Sequence, residues 1–277
     1  MTTFKGYVRP DGSVGVRNHV LLLSGTIYAN RLCERVADII ANAIAIVHPL
    51  GRCQVRPDLR MTRRFLAGTA RNPNIGGVVI VDHFKEEGMT AYDLANDVAD
   101  TGKPVTVVNI RKAGGLIAAT EQATREAAHI SRQLSDMKRE EVPLARLLLS
   151  TECGTSVTPS GFASNPATGL CADKVIAAGG RAILAECTEW MGCEEWLTSR
   201  AVSEDVAERM MAGVKDMEER GLRSGEDIRG SQPTGDNIVG GLTTIEEKSM
   251  GAVKKGGSAP IIDYLEIAQA PTSEEAG

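Results

Sequence analysis

Short apolar runs alternate with longer segments of helical periodicity through the first half of the chain. The runs predict β-strands, because four to eight mostly apolar residues between turn signals are typical of buried strands. The segments between them repeat their apolar positions at the spacing of one helix face. The predicted strands are residues 18–25, 43–47, 76–81 and 104–110, and the predicted helices are residues 29–41, 57–71, 90–100 and 115–138.

The second half of the chain repeats this alternation less regularly. A stretch rich in Gly, Ser, Asp and Pro predicts a long loop from residue 221. The tail, residues 272–277, has almost no apolar content and is predicted to be disordered. The predicted elements are strands at 144–150 and 182–186, helices at 165–179, 188–200 and 202–220, a turn at 252–257 and a short helix at 261–268.

Strands that are apolar throughout and separated by helices indicate parallel sheets covered by helices on both faces. We therefore predict an α/β protein with two Rossmann-like parallel-sheet units, residues 1–140 and 141–271. In such doubly wound sheets, ligands bind beyond the carboxyl ends of the strands. The loops at those strand ends are therefore the candidate sites.

Composition narrows the possible partners. The 277 residues carry a formal net charge of −5, which argues against a nucleic-acid surface, since such surfaces are basic. No apolar run approaches the roughly 20 residues that span a bilayer, and the N-terminus lacks an apolar signal segment. We expect a cytoplasmic protein without membrane contact, and its amphipathic helices favour a homo-oligomer or a complex with a partner subunit.

The six cysteines are far apart and form no Cys-x-x-Cys pair, so a structural zinc knuckle is not expected. Thiols are the expected state in a reducing compartment. No Gly-x-Gly-x-x-Gly follows the first predicted strand and no P-loop is present, so nucleotide sites are not supported.

Two histidines follow predicted strands at equivalent positions, His48 after the second and His83 after the third. Imidazoles placed there could bind a divalent metal or exchange protons. The alternative is that each is a structural loop histidine, which is the commoner case. The sequence does not show that the two side chains meet.

Two other segments carry candidate functional residues, and a structural role is the alternative for each. Glu152 and Cys153 could be a base and a metal ligand, or Glu152 could cap the next helix. Arg9, Arg17 and Asn18 could bind a carboxylate, which arginine does with two parallel hydrogen bonds. A hairpin with solvent-facing arginines is the alternative for that segment.

The segment 235–251 combines paired glycines, threonine hydroxyls, two carboxylates and an ammonium. These groups suit an anionic, hydroxylated ligand, because glycine lets main-chain N–H groups approach it closely. The alternative is a helix cap, with Thr243 or Thr244 at the N-cap and Glu246 or Glu247 in the first turn. On spacing alone, the helix cap is favoured.

Several segments resemble the large portion of altronate and galactarate dehydratases, in order and spacing from residue 4 to about residue 271. The sulfolactate sulfo-lyase large subunit belongs to the same broad group. The segment Gly240-Gly241-Leu242-Thr243-Thr244-Ile245-Glu246-Glu247-Lys248-Ser249 is the most specific of them. The others are 6–12 with 16–18, Arg71-Asn72-Pro73-Asn74, Glu152-Cys153-Gly154-Thr155-Ser156, and Ser160-Gly161 with Ala163 and Asn165-Pro166-Ala167.

The resemblance implies elimination of water from a sugar acid to give a 2-keto-3-deoxy acid, assisted by Fe²⁺ or Mn²⁺. Abstraction of a proton α to a carboxylate requires a base and a cation near the developing charge. The implied catalytic residues are Glu246, Glu247, Lys248 and Glu152. The implied substrate-binding residues are Arg17, Asn18, Ser156, Asn165, Thr243 and Thr244, and the implied metal ligands are His48 and Cys153.

Three positions depart from the family pattern. Arg52 and Lys85 stand where cysteines are usual, and Val157 stands where an aspartate is common. A metal site built on those side chains would be weakened or absent. The sequence therefore leaves a second hypothesis open, a sugar-acid-binding or scaffold subunit with impaired catalysis, besides a dehydratase or sulfo-lyase component.

Overall fold

The computed structural model describes residues 2–83 and 88–265. These residues form two compact units, residues 3–142 and residues 143–265, the second of which includes Thr2. The predicted tail at 272–277 and the end of the predicted helix 261–268 lie outside the described residues, and residues 261–265 are not helical. No helix within the described ranges is both long and apolar enough to cross a membrane.

The N-terminal unit is built around a four-stranded parallel sheet with strand order β4-β3-β5-β6. Its predicted strands and helices are confirmed to within a few residues. The strands are β3 (His19–Ser24), β4 (Ala43–Ile46), β5 (Ile75–Asp82) and β6 (Val105–Asn109), and the helices are α1 (Asn30–Ile39), α2 (Arg56–Arg71), α3 (Ala91–Ala99) and α4 (Leu116–Ser135).

Each face of this sheet is covered by two helices, as predicted for an α/β unit. Successive residues of β3 and β5 point to opposite faces, because side chains alternate along a strand. Val20 and Leu22 pack with α1 and α4, whereas Leu21 and Leu23 pack with α2 and α3. All four side chains are fully buried, so the sheet is an apolar layer whose polar chemistry is confined to its ends.

Arg9 ties the N-terminal hairpin to the amino end of the sheet. The hairpin strands β1 (Thr3–Val8) and β2 (Val14–Gly15) join β7 (Glu140–Pro143) in a small sheet with order β2-β1-β7. The buried Arg9 guanidinium donates to Asn18 Oδ1 at 2.7 Å, to the Arg17 carbonyl at 2.8 Å and to the Pro73 carbonyl at 2.8 Å. A Cβ on Gly15 would lie 2.1 Å from that same Pro73 oxygen, which is why glycine is required there.

Lys103 caps the C-terminal end of α2 from the buried side. Its ammonium donates to the carbonyls of Ala70, Arg71 and Asn72 at 3.2, 2.7 and 2.8 Å. The last carbonyls of a helix have no partners within the helix, so a buried cation there satisfies acceptors that would otherwise be unpaired. The Arg71-Asn72-Pro73-Asn74 segment is therefore held by Lys103 and Arg9 together.

The C-terminal unit contains the two parallel strands that the sequence predicts, and each is four residues long. Within residues 143–265 the parallel sheet has two strands, β8 (Leu148–Thr151) and β9 (Arg181–Leu184). The same residues form five helices, and most of the apolar side chains pack between helices instead of onto strands. They are α5 (Asn165–Ala177), α6 (Glu194–Thr198), α7 (Glu204–Arg223), α8 (Gly235–Val239) and α9 (Ile245–Ala252).

Two predicted elements of this unit were wrong in detail. The strand at 144–150 is split, because Leu144–Arg146 forms a 3₁₀ turn before β8 begins. The helix at 188–200 is also split, into the 3₁₀ turn Cys187–Trp190 and α6. Gly192 separates these two pieces with a positive φ of 102°, a conformation that glycine adopts readily and that a continuous helix cannot contain.

Replacing Lys103 by Met should lower the free energy of unfolding by about 1–3 kcal/mol, because three buried carbonyls would lose their donor. Urea denaturation measures this loss. Lys138→Met, at an exposed position, is the matched control and should change stability little. If both substitutions lowered the free energy of unfolding by the same amount, the capping role of Lys103 would be contradicted.

Candidate functional site

Two loops of the C-terminal unit meet at one edge of its sheet. The carboxyl ends of the parallel strands β8 and β9 are adjacent, since Thr151 pairs with Leu184. The loops that follow bring Cys153 together with Glu186 and Glu189, and one ligand atom from each lies within 4.8 Å of the other two. This thiol–carboxylate cluster is the one group of this kind among the described residues, and its three side chains could hold a metal ion.

Glu186 is held in an uncommon backbone conformation within the cluster. Its φ is 65° and its ψ is 94°, a left-handed region that costs energy for a side-chain-bearing residue. Burial above all, with a hydrogen bond to Glu152 and the negative charge of Glu189, raises the pKa of the Glu186 carboxyl to about 7. Near neutral pH the Glu186 carboxyl is therefore protonated part of the time, so it can donate a hydrogen bond to Glu152.

Glu189 forms a buried ion pair with Lys255. The Lys255 ammonium donates to Glu189 Oε2, and the two side chains are 5% and 4% exposed. The other carboxylate oxygen, Oε1, is buried without a hydrogen-bond partner. A buried acceptor of this kind is expected to have a partner in the working protein, which makes Glu189 a candidate ligand for a cation.

Cys153 is the half-buried thiol of the cluster. Burial raises the pKa of this thiol, and the neighbouring Glu189 carboxylate raises it as well. The Ser156 hydroxyl lies 3.7 Å from the Cys153 sulfur and opposes the rise. A thiol in such surroundings stays protonated and weakly nucleophilic until a cation is bound to it.

Close backbone packing positions Lys255. It lies in the 3₁₀ turn Val253–Gly256 that continues α9. A Cβ on Gly169 of α5 would lie 2.0 Å from the Lys254 carbonyl, so only glycine allows this turn to reach α5. Asn165 adds a hydrogen bond from Nδ2 to the Gly251 carbonyl at 3.0 Å.

Helix α9, which precedes that turn, is also positioned by a close approach between backbones at glycines. A Cβ on Gly251 would lie 3.1 Å from the α-carbon of Gly161. Gly161 belongs to the π-helical turn Ser160–Ser164 that leads into α5. The backbones of α9 and this turn therefore pack directly against each other, and the sequence segments around Gly161 and Asn165 serve to fix α9.

The 243–249 segment forms the helix cap that the sequence analysis gave as the alternative. Thr244 is the N-cap of α9, and its hydroxyl accepts from the Glu247 N–H at 3.2 Å. Glu247 in turn accepts from the N–H and hydroxyl of Thr243 at 2.8 and 2.7 Å. These Thr243 hydrogen bonds lower the pKa of Glu247. Thr243, Thr244 and Glu247 are thus occupied with one another.

Glu246 and Lys248 project from the first turns of α9, where Glu246 is exposed and Lys248 is half-buried. No hydrogen bond, ion pair or metal-ligand group of the described residues joins either side chain to Cys153, Glu186 or Glu189. The contact of this segment with the cluster runs through the backbone, because the turn that follows α9 carries Lys255, and the catalytic roles of Glu246 and Lys248 stay predictions.

The glycines of the same segment pack against the loop after Cys153. A Cβ on Gly240 would lie 2.5 Å from the Val157 side chain. The Asn237 amide donates to the Ser156 carbonyl at 3.0 Å. Val157, which departs from the family pattern, is therefore a packing residue here, and the cluster keeps all three of its donors.

His48 has main-chain partners on both ring nitrogens. Nε2 lies 2.8 Å from the Ser24 carbonyl, and Nδ1 accepts from the Leu50 N–H at 3.1 Å. Burial lowers the pKa of His48, which favours the neutral ring. His48 also belongs to no metal-ligand group of the described residues. This geometry favours the structural alternative over the metal ligand that the sequence suggested.

Other residues of the N-terminal unit also occupy places that the sequence could not fix. Asn18 is buried at the amino end of β3, with Oδ1 accepting from Arg9 and Nδ2 donating to the Leu134 carbonyl at 3.0 Å. The exposed Arg17 precedes it. Both lie at the opposite end of the sheet from the loops after β3, β4 and β5.

The loops after β3, β4 and β5 bring three side chains near one another. The Tyr28 ring lies 5.4 Å from the His83 ring, and the Arg52 guanidinium lies 6.0 Å from the Tyr28 ring. Lys85 lies outside the described residues.

Of the cluster, the sequence selects Cys153, together with the adjacent Glu152 and Ser156. Glu186, Glu189 and the neighbouring Lys255 are not among its candidates. The pairing of β9 with β8 is the signal that could select the two glutamates, because it places the loops after both strands at one edge. Lys255 gave no sequence signal, because its role depends on glycine contacts between distant elements.

Comparison with known proteins places the whole described architecture in one family. The second-domain model of D-galactarate dehydratase/altronate hydrolase matches residues 6–135, and the C-terminal model of D-galactarate/altronate dehydratase matches residues 144–277. The chain is 38% identical over 276 residues to the (2R)-sulfolactate sulfo-lyase subunit beta of Chromohalobacter salexigens, covering 98% of this chain and 69% of that subunit.

Two dehydratases are more distant. Identity is 28% over 282 residues to altronate dehydratase of Bacillus subtilis and 28% over 291 residues to galactarate dehydratase (L-threo-forming) of Escherichia coli. The matches cover 96% and 98% of this chain but 55% of each dehydratase. The names of these relatives support a lyase-type function in general. The chain belongs to the D-galactarate/altronate dehydratase family.

Replacing Gly169 by Ala should destabilise the protein by about 1–3 kcal/mol, because the new methyl group overlaps the Lys254 carbonyl. Gly68→Ala is the matched control, since Gly68 is also helical but has nothing within 4 Å of a Cβ. That control should be neutral or stabilising by up to about 1 kcal/mol. Thermal unfolding of both variants measures the difference, and a harmless Gly169→Ala would contradict the close packing.

Proposed function

We propose that this chain is a component of a lyase that removes a β-substituent from a small hydroxycarboxylate, with its site at the thiol–carboxylate cluster. The observation that carries the proposal is the convergence of Cys153, Glu186 and Glu189 within 4.8 Å at the carboxyl edge of a parallel strand pair. Ligand sites in α/β folds lie at that edge. The family membership supplies the reaction class.

The donor set fits a divalent metal. One thiol and two carboxylates are within reach of a single ion, and the buried Glu189 Oε1 has no other partner. Thiolate favours Fe²⁺ or Zn²⁺ over Mg²⁺ and Ca²⁺, whereas carboxylates alone would suit Mn²⁺ equally well. Of the two metals that the sequence suggested, the thiol favours Fe²⁺. When bound, such an ion would supply a Lewis acid near the substrate carboxylate.

Glu152 is proposed as the group that accepts the α-proton. It is exposed at the rim of the cluster and hydrogen-bonded to Glu186. A base for this step must be reachable by substrate. Glu152 meets that need, because its side chain is exposed beside the cluster, and the nearby Ser156 hydroxyl is a candidate donor to a substrate hydroxyl.

Two leaving groups are compatible with this chemistry. In both cases the proton at C2 goes to the base and the C3 substituent departs with its bonding electrons, leaving an enol that tautomerises to the 2-keto acid. The C3 substituent is a hydroxyl in the dehydratases, and it leaves as water after protonation. In (2R)-sulfolactate it is a sulfonate, which leaves as sulfite. The identity of 38% to a sulfo-lyase subunit, against 28% to the dehydratases, supports the sulfonate.

A partner subunit is part of the proposal. The relative with 38% identity is named as a subunit, and the chain spans about half the length of the dehydratases that it matches. Activity is therefore expected from the complex of this chain with its partner subunit, and the activity is measured on this chain together with the proteins that copurify with it.

Incubation with (2R)-sulfolactate should release sulfite and pyruvate in equal amounts. Galactarate and altronate, tested in parallel, should give a 2-keto-3-deoxy acid if water is the leaving group. Glu189→Gln should lower kcat by about 100-fold or more, because it removes a proposed metal ligand. Glu246→Gln is the matched control on α9 and should retain most of the activity.

If Glu246→Gln or Lys248→Met is inactive while Glu189→Gln remains active, the catalytic site lies in the 243–249 segment and not at the cluster. Binding of these acids without turnover, under every metal tested, would instead support the non-catalytic binding subunit.

Cobalt(II) tests the metal site independently of activity. Co²⁺ added to the metal-free protein should produce the near-ultraviolet charge-transfer band of a cobalt–thiolate bond. Cys153→Ser should abolish the band, whereas Cys171→Ser, which alters an exposed thiol, should leave it unchanged. Loss of the band in Cys171→Ser alone would place the thiolate ligand elsewhere.

A further inference from the structure

The ion pair between Lys255 and Glu189 is unusual in being almost entirely buried. Its side chains are 5% and 4% exposed. Removing two charges from water is so costly that buried pairs rarely stabilise a fold better than apolar residues of similar volume. The pair therefore points to a role for the Lys255 charge beyond stability.

The Glu189 carboxylate faces both the Lys255 ammonium and the thiol–carboxylate cluster. Glu189 Oε2 accepts from Lys255, while Oε1 is unpartnered. A Glu189 oxygen also belongs to the cluster with Cys153 and Glu186. A metal ion bound by that cluster and the Lys255 ammonium would consequently lie on the same carboxylate.

The charges of the cluster balance only when Lys255 is counted. Cys153, Glu186 and Glu189 carry one negative charge each when deprotonated to bind a metal. A divalent ion leaves one negative charge over, and the Lys255 ammonium neutralises it. In the metal-free protein, the same ammonium keeps Glu189 from being an uncompensated buried anion.

We propose that Lys255 is the resident counter-cation of the metal site: it holds Glu189 in place without metal, and its charge limits the affinity of the cluster for divalent ions. This inference rests on the proposed metal site. At a separation of about 5 Å, a unit charge changes the affinity of a divalent ion by more than about tenfold even at the dielectric constant of water.

The inference is tested by cobalt titration of three variants, with the cobalt–thiolate band as the signal and a chelator as competitor. Lys255→Met should bind Co²⁺ at least about tenfold more tightly than the wild-type protein and melt at a lower temperature without metal. Lys255→Arg keeps the charge and should restore wild-type affinity. Lys254→Met removes the same charge from the exposed neighbouring position and should leave affinity within about twofold of wild type.

Equal or weaker Co²⁺ binding by folded Lys255→Met would overturn the inference while leaving the metal site intact. If Lys255→Met unfolds without metal, circular dichroism should show refolding on Co²⁺ addition, because the ion would replace the lost cation. Failure to refold would also overturn it. A wild-type protein without the cobalt–thiolate band would instead refute the metal site itself.

Discussion

The buried contact between the Lys255 ammonium and the Glu189 carboxylate is the constraint around which the C-terminal unit is arranged. An ion pair at this depth tolerates little displacement, because either charge left alone would be unsolvated. The elements that carry the two residues must therefore be fixed by the remainder of the unit. Lys255 is fixed by α9 and by glycine contacts with α5, and Glu189 by the turn after β9.

The segment that first suggests a binding site forms a helix cap in this arrangement. Thr243, Thr244 and Glu247 close the N-terminal end of α9 through hydrogen bonds to one another. A well-capped helix start matters here, because α9 is eight residues long and isolated helices of that length are not stable in water. The polar groups that suggest a ligand site in the sequence stabilise the first turn of this short helix.

The sequence predicts the N-terminal unit well, because its strands are apolar on both faces and its helices are long and amphipathic. It predicts the C-terminal unit less well, because short 3₁₀ turns interrupt segments whose apolar spacing suggests single elements. For the site, Cys153 and Glu152 could be selected, since they directly follow a predicted strand. Lys255 could not be selected, because nothing local distinguishes it from the exposed Lys254 beside it. Its burial follows from the missing Cβ of Gly169, far away in the chain.

The backbone contact between Gly161 and Gly251 has a mechanical consequence. Contacts between side chains can adjust by changing rotamer, whereas two backbones that approach each other at glycines have no such freedom. A displacement of the turn at Ser160–Ser164 would therefore press directly on the backbone of helix α9. We expect such a displacement to reach the 3₁₀ turn that follows α9 and carries Lys255.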